Sequence, residues 1–325
     1  MSISKGILDV LEKSSWIRKM FEEGIQLKQQ YGEKNVFDLS LGNPLLEPPK
    51  KFKEKIIALA SSSDKGMHRY MPNPGFVSTR KAIAENLNNE FSINVSSDDV
   101  IVTTGAAGGL NSILKTLLNP DDEIIIFAPF FVEYLFYVSN HNGKAIIAKT
   151  DEKFLPDLED LKSKITNKTK AIIINSPNNP TGVLYPKEII QKIGKIIQEK
   201  EKNFGTEMYL VSDEPYRKII FDNKEYPFIF EHHERSIVVT SHSKDLGLAG
   251  ERIGYIIVSP NDKNKEVLFD AIIFSLRTLG HVNATAFMQR SIEGIQNETV
   301  DIKIYKMKRD FLYKKLIDIG YDCVK

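Results

Sequence analysis

Between residues 100 and 258 the chain repeats one pattern: a short run of apolar, mostly β-branched residues, then a stretch with helical spacing. The apolar runs predict seven strands, at Val100–Thr103, Glu123–Phe127, Lys144–Ala148, Lys170–Asn175, Met208–Ser212, Ser236–Ser241 and Ile253–Val258. The helical period is clearest over Pro186–Phe204. Strands without polar alternation are buried on both faces, and their alternation with helices predicts an α/β fold with a mostly parallel seven-stranded sheet covered by helices. Before this body, residues 1–36 predict two polar helices, the second over Ile17–Tyr31, followed by a short strand at Phe37–Pro44 broken by Gly42 and Pro44. Residues 50–62 and Thr79–Phe91 predict helices around a turn-rich loop, Arg69–Gly75. Beyond Val258, residues 263–276, 282–296 and 300–319 predict helices, and Gly320–Lys325 the beginning of a strand.

Charge narrows the partners. There are 44 Lys+Arg against 43 Asp+Glu, which gives no reason to expect nucleic acid or an anionic membrane. Cys323 is the single cysteine, so no internal disulfide forms, and no Cys/His cluster suggests a metal. The N-terminus alternates apolar with charged residues, as an amphipathic helix does and a signal peptide does not. No apolar run reaches membrane-spanning length, so a soluble cytoplasmic protein is expected.

In sheets of this class ligands bind beyond the carboxyl ends of the strands, and the unusual residues gather there. Ser241-His242-Ser243-Lys244 closes one apolar run, eight residues before Arg252-Ile253-Gly254-Tyr255. A lysine among apolar neighbours loses proton affinity and becomes a usable amine; taken alone, a solvated loop lysine is the plainer reading. Gly105-Ala106-Ala107, opening a helix, leaves amide N–H groups open to an anion. Pro129-Phe130-Phe131 offers an aromatic ring to a planar ligand, or simply to the core. In Asn175-Ser176-Pro177-Asn178-Asn179-Pro180-Thr181-Gly182 two X-Pro steps imply an extended backbone that aims the Asn179 side chain. Ser212-Asp213-Glu214-Pro215-Tyr216 ends an apolar strand on an acid, which is costly without a cationic partner unless Asp213 merely caps a helix.

An amine, a carboxylate for a ring nitrogen, a stacking aromatic and a phosphate cradle are together what pyridoxal phosphate requires. With N-N-P-T-G, S-D-E-P-Y and S-x-S-K followed by R-I-G-Y in this order, the chain from about Ser40 to Val258 resembles the class I/II aminotransferases of the aspartate aminotransferase type, fold type I of the pyridoxal-phosphate enzymes. The resemblance implies that Lys244 holds the cofactor aldehyde and shuttles a proton, and that Asp213 keeps the ring nitrogen protonated. It implies that Asn179 and Tyr216 bind the ring hydroxyl oxygen, and that Phe131 stacks. Ser241, Arg252 and the Gly105, Ala106 and Ala107 amides would bind phosphate, and Tyr70 would reach the phosphate of a neighbouring subunit in a homodimer with shared sites. The Gly42 backbone, with Asn179, would approach the substrate, an amino acid or a 2-oxo acid. The corresponding domains are 1–46, a segment contributing to a small α/β domain; 47–285, the cofactor-binding large domain; and 286–325, the start of the C-terminal part of the small domain.

One departure stands out. Relatives carry a substrate-carboxylate arginine in a region that would follow Lys325, so the chain is expected to be C-terminally incomplete. Arg277 lies roughly where some relatives place a substrate-contacting arginine from the partner subunit, although a surface salt bridge suits it as well. The implied activity is ping-pong transfer of an amino group. A C–S β-lyase on the same cofactor residues is the alternative, and a non-enzymatic binding module a further one. No basic or winged-helix segment precedes residue 40 to support the last.

Overall fold

The computed structural model describes residues 2–39 and 42–325. Contacts divide the chain into two units, Met1–Leu45 and Leu46–Lys325. The first is built on one 27-residue helix, α1 (Lys5–Tyr31), where two were expected. Nothing in that stretch breaks a helix: it has no proline, and an interior glycine such as Gly24 costs only about 1 kcal/mol. The helix stops where Gly32 turns to φ +83°. Phe37, Asp38 and Leu39 form no strand. Ser40 and Leu41, the rest of the apolar part of that expected strand, lie outside the described residues.

The second unit runs α2 (Lys50–Ala60), α3 (Val77–Phe91), β1 (Val100–Thr103), α4 (Gly105–Leu117), β2 (Glu123–Phe127), α5 (Glu133–Asn140), β3 (Lys144–Ala148), α6 (Leu158–Lys164), β4 (Thr169–Asn175) and α7 (Lys187–Phe204). It continues with β5 (Tyr209–Asp213), β6 (Ser236–Ser241), α8 (His242–Asp245), β7 (Gly254–Val258), α9 (Lys265–Thr278), α10 (Ala286–Ile292) and α11 (Ile302–Asp318). The strands form a single seven-stranded sheet in the order β1-β7-β6-β5-β4-β2-β3. Only β7 runs against the others, pairing antiparallel with both β1 and β6.

Alternate residues of each strand feed opposite cores, which is why the strands read as unbroken apolar runs. Ile125, Ile172, Leu210, Val238 and Ile257 join α3, α6, α7 and α10 on one face. Ile124, Ile173, Val211, Ile237 and Ile256 join α4, α5 and α9 on the other. Burying each such isoleucine contributes about 1.5–3 kcal/mol.

Helix limits differ from expectation where backbone geometry intervenes. The helix expected over 282–296 begins only at Ala286, because Gly280 and Val282 take positive φ of 85° and 53°. Gly320–Lys325 forms no strand; α11 ends in a turn in which Gly320 takes φ +94°.

Candidate active site

Strand register brings three distant pieces of chain together. Thr103 at the end of β1 pairs with Gly254, and Gly254 pairs with Ser241 at the end of β6. The turn after β1, the residues before β7 and the end of β6 therefore meet at one edge. Gly105 takes φ +75°, and a Cβ on it would stand 3.1 Å from Arg252 Nη2. Arg252 is itself left-handed at φ +51° and is held by donating from Nη1 to the Ala249 carbonyl at 2.9 Å. The first turn of α4 carries no acidic side chain and Thr104 does not cap it, so its amides and the guanidinium define a cationic cradle.

Lys244 lies next to this cradle along the chain. It rides on α8, a single helical turn directly after β6, rather than on an open loop. Buried His242 fixes that turn: its Nδ1 lies 3.1 Å from Asp245 Oδ2, and its ring stands 5.7 Å from the Tyr255 ring. From the other side the Asp245 carbonyl accepts from Val300 N–H at 2.7 Å and from the Thr299 hydroxyl at 3.0 Å. Lys244 is half-buried, and burial lowers the proton affinity of its amine.

Asp213 ends β5, opposite Asn175 of β4 and Val239 of β6. Its carboxylate is buried; Oδ2 accepts a 2.6 Å hydrogen bond from the Tyr134 hydroxyl, whereas Oδ1 has no partner. Burial pushes the carboxyl up to about 6, against the lowering effect of the Tyr134 hydrogen bond. It is therefore a strand-end acid held by a phenol, not a helix cap. Tyr216 is half-buried, and burial, with the Asp213 charge, pushes its hydroxyl up to about 12. Asn175 Nδ2 donates to the Asp213 carbonyl at 2.9 Å, and its Oδ1 accepts from Asn179 N–H at 2.7 Å. The Asn179 segment turns instead of running extended: Gly182 N–H donates to the Asn178 carbonyl and Asn178 N–H to the Val183 carbonyl, and the bonds before Pro177 and Pro180 are cis. Phe131 follows β2, 38% exposed, its ring 5.7 Å from that of Tyr134 at 85°.

The carboxyl-end positions of β1, β6, β5, β4 and β2 thus hold, in order across the sheet, Gly105 with Ala106 and Ala107, then Ser241 and Lys244, Asp213 and Tyr216, Asn179, and Phe131. Arg252 enters from the start of β7, between the first two. Two expected residues of the second unit, Tyr70 and Arg277, stand outside this row. Tyr70 is 96% exposed on the loop between α2 and α3 and makes no buried contact among the described residues. Gly42 belongs to the first unit and is exposed. Arg277 stacks its guanidinium over Phe274, 5.4 Å from the ring centre, on the exposed side of α9.

Three side chains at the site escaped the sequence: Tyr134, Asn175 and Tyr137. The Tyr137 hydroxyl is pushed up to about 12 by burial and then by the charges of Glu133 and Asp213, with Arg252 acting the other way. The one available signal was spacing, since Tyr134 follows the stacking candidate Phe131 by three residues at a helix start.

Comparison with known proteins agrees with this fold. The profile of the family aminotransferase class I and II matches residues 34–325. A probable aspartate aminotransferase of Methanocaldococcus jannaschii is 35% identical over 291 residues, covering 88% of this chain and 74% of that protein. The aspartate aminotransferase of Pyrococcus horikoshii is 32% identical, over 95% of this chain and 74% of that one. Among solved structures, an amino transferase from Eubacterium rectale superposes with a TM-score of 0.96 at 36% identity, covering 100% of this chain and 82% of that chain. The Thermus thermophilus aspartate aminotransferase with maleate gives 0.81 at 27% identity, over 95% and 78%. The chain belongs to the aminotransferase class I and II family, and it is an enzyme that transfers amino groups.

Proposed function

We propose that this chain binds pyridoxal phosphate along the strand ends just described and exchanges an amino group between an amino acid and a 2-oxo acid in two half-reactions. The observation that carries the reading is Asp213, a buried carboxylate with Oδ1 left without a partner. An orphaned buried anion is costly unless a cation or donor meets it, and a protonated ring nitrogen is such a group. The other residues fit the same ligand: an anion cradle at Gly105 and Arg252, an aromatic face at Phe131, and a half-buried amine at Lys244.

When bound, the cofactor supplies an aldehyde that takes up amino groups and a ring that withdraws electrons from the substrate Cα. Asp213 would keep the ring nitrogen protonated. Lys244 would hold the aldehyde carbon, and its depressed basicity would suit its amine to carry a proton to and from the substrate Cα. Asn179 and Tyr216 would donate to the ring hydroxyl oxygen, and Phe131 would cover one ring face. Ser241, Arg252 and the amides of Gly105, Ala106 and Ala107 would hold the phosphate. By the resemblance, the Gly42 main chain is a candidate for the substrate carboxylate. Gly42 apart, these residues fall within 47–285, the proposed cofactor-binding body. Because the relatives are named for aspartate, that amino acid heads the donors to test.

Purified protein incubated with cofactor is expected to show a visible absorption band that borohydride bleaches, leaving the label on Lys244. It should also consume aspartate or another donor only when a 2-oxo acid is supplied. A reducible lysine adduct that persists in Lys244→Ala overturns the assignment. Release of pyruvate and ammonia from cystathionine without an acceptor would identify the β-lyase instead.

A further inference from the structure

We infer that Tyr134 is the positioning residue of the cofactor site, acting through Asp213 and setting which carboxylate oxygen faces the ring nitrogen. The inference rests on the cofactor reading above and adds a residue that no part of it uses. The Tyr134 hydroxyl donates to Asp213 Oδ2 at 2.6 Å, and both side chains are buried, at 2% and 5% exposure. Only one oxygen is occupied in this way; Oδ1 is buried and has no partner. The hydrogen bond therefore does two things. It selects one rotamer of a side chain that could otherwise present either oxygen, and it stabilises the charged carboxylate against desolvation.

The phenol is well suited to this. Burial, then the Asp213 charge, raises its own titration well above the usual tyrosine value, so it remains a donor throughout the range in which Asp213 ionises. Its place in the chain couples two functions. Phe131, the ring that would cover the cofactor face, lies three residues earlier, and the two rings meet edge to face at 5.7 Å. One short segment running from the end of β2 into the first turn of α5 would thus set both the contact with the ring face and the orientation of the acid at the ring edge. Without the phenol, the Asp213 carboxylate has no side-chain hydrogen bond left among the described residues, and burial favours its neutral form, which cannot offset a protonated ring nitrogen.

The test is a double-mutant cycle on cofactor retention, measured by equilibrium dialysis and by the position of the visible band, with Tyr134→Phe, Asp213→Asn and the double variant. Phenylalanine keeps the ring and its contact with Phe131, and removes only the donor. Tyr134→Phe is expected to weaken retention about tenfold or more in the native background and to shift the band. In the Asp213→Asn background it should change retention by less than about threefold, because the charge it supports is gone. Equal weakening in both backgrounds means Tyr134 is only packing, and the inference fails while the cofactor reading stands. If Asp213→Asn alone leaves retention and spectrum unchanged, the reading of Asp213 fails and the inference with it. Should Tyr134→Phe not fold, Tyr134→Met fills the space flexibly without a donor and enters the same cycle.

Discussion

Asn175 and Asp213, side by side on β4 and β5, are joined by a 2.9 Å hydrogen bond from the asparagine side chain to the aspartate carbonyl. Because Asn175 Oδ1 also accepts from Asn179 N–H at 2.7 Å, one buried amide spaces the proposed acid and the proposed ring-oxygen donor. Asn175→Ala would leave a buried carbonyl and a half-buried N–H unsatisfied. The expected loss is about 2–4 kcal/mol of unfolding free energy in urea, with weaker cofactor retention. Unchanged stability would show that water replaces the amide at no cost.

Asp213→Asn should fold yet remove substrate Cα protons far more slowly. A charge in a water-excluded site stabilises the transition state by several kcal/mol, so a loss of about a hundredfold or more is expected in single-turnover proton exchange. A variant within about tenfold of the native rate would show that ring protonation is not controlled by Asp213.

The same carboxylate predicts a pH dependence of stability in cofactor-free protein. Burial raises Asp213 from its usual 3.8 to about 6, and raises the neighbouring Glu214 from 4.5 to about 7, against the lowering effect of Arg217. The folded state thus binds more protons than the unfolded one between these values. The stability the two groups contribute is complete below about pH 4 and is lost as pH rises through 6 and 7. For Asp213 the change is on the order of 3 kcal/mol. Urea melts at pH 5 and pH 8 should differ less for Asp213→Asn than for the native protein; identical differences would refute the assignment.

Gly254→Ala tests the cradle. A Cβ at Gly254 would overlap the Thr240 carbonyl oxygen and stand 3.0 Å from the Gly105 Cα. Backbone cannot swing aside as a side chain can, so a loss of about 2 kcal/mol or more is expected, with weakened phosphate-dependent binding of the cofactor. An alanine variant with native stability would show that β7 can slide along β6.

The expected homodimer rests on the resemblance, which puts Tyr70, 96% exposed on this chain, at the phosphate of a neighbouring subunit. Tyr70→Phe and Lys244→Ala, each impaired alone, should recover activity on mixing, since a heterodimer rebuilds one site with both residues native. Sedimentation should show a dimer at micromolar concentration. Mixed variants that regain nothing would remove Tyr70 from the site.

The seven strands were legible almost to the residue because all but the half-exposed edge strand β3 are largely buried on both faces, and β3 too is an apolar run. Lys244, Asp213, Asn179 and Arg252 were legible as motifs at strand ends. Asn175 and Tyr134 were not: one acts on Asp213 from β4 and the other from the first turn of α5, and linear order carries no trace of which elements lie side by side. Where two helices were expected, α1 runs unbroken because no proline interrupts it before Gly32. The expected final strand at Gly320–Lys325 rested on a short apolar pattern, which does not supply a pairing partner.

The antiparallel placement of β7 has a temporal consequence. Gly105 and Arg252, the two halves of the anion cradle, are separated by about 150 residues of chain, and β1 gains its pairing only with β7. A growing polypeptide therefore exposes the glycine turn long before the arginine exists. Closing so long a loop costs entropy that only the completed central sheet offsets. On the proposed reading, the cradle would be complete for a phosphate only once β7 has joined β1 and β6, so cofactor uptake would report that the sheet has closed.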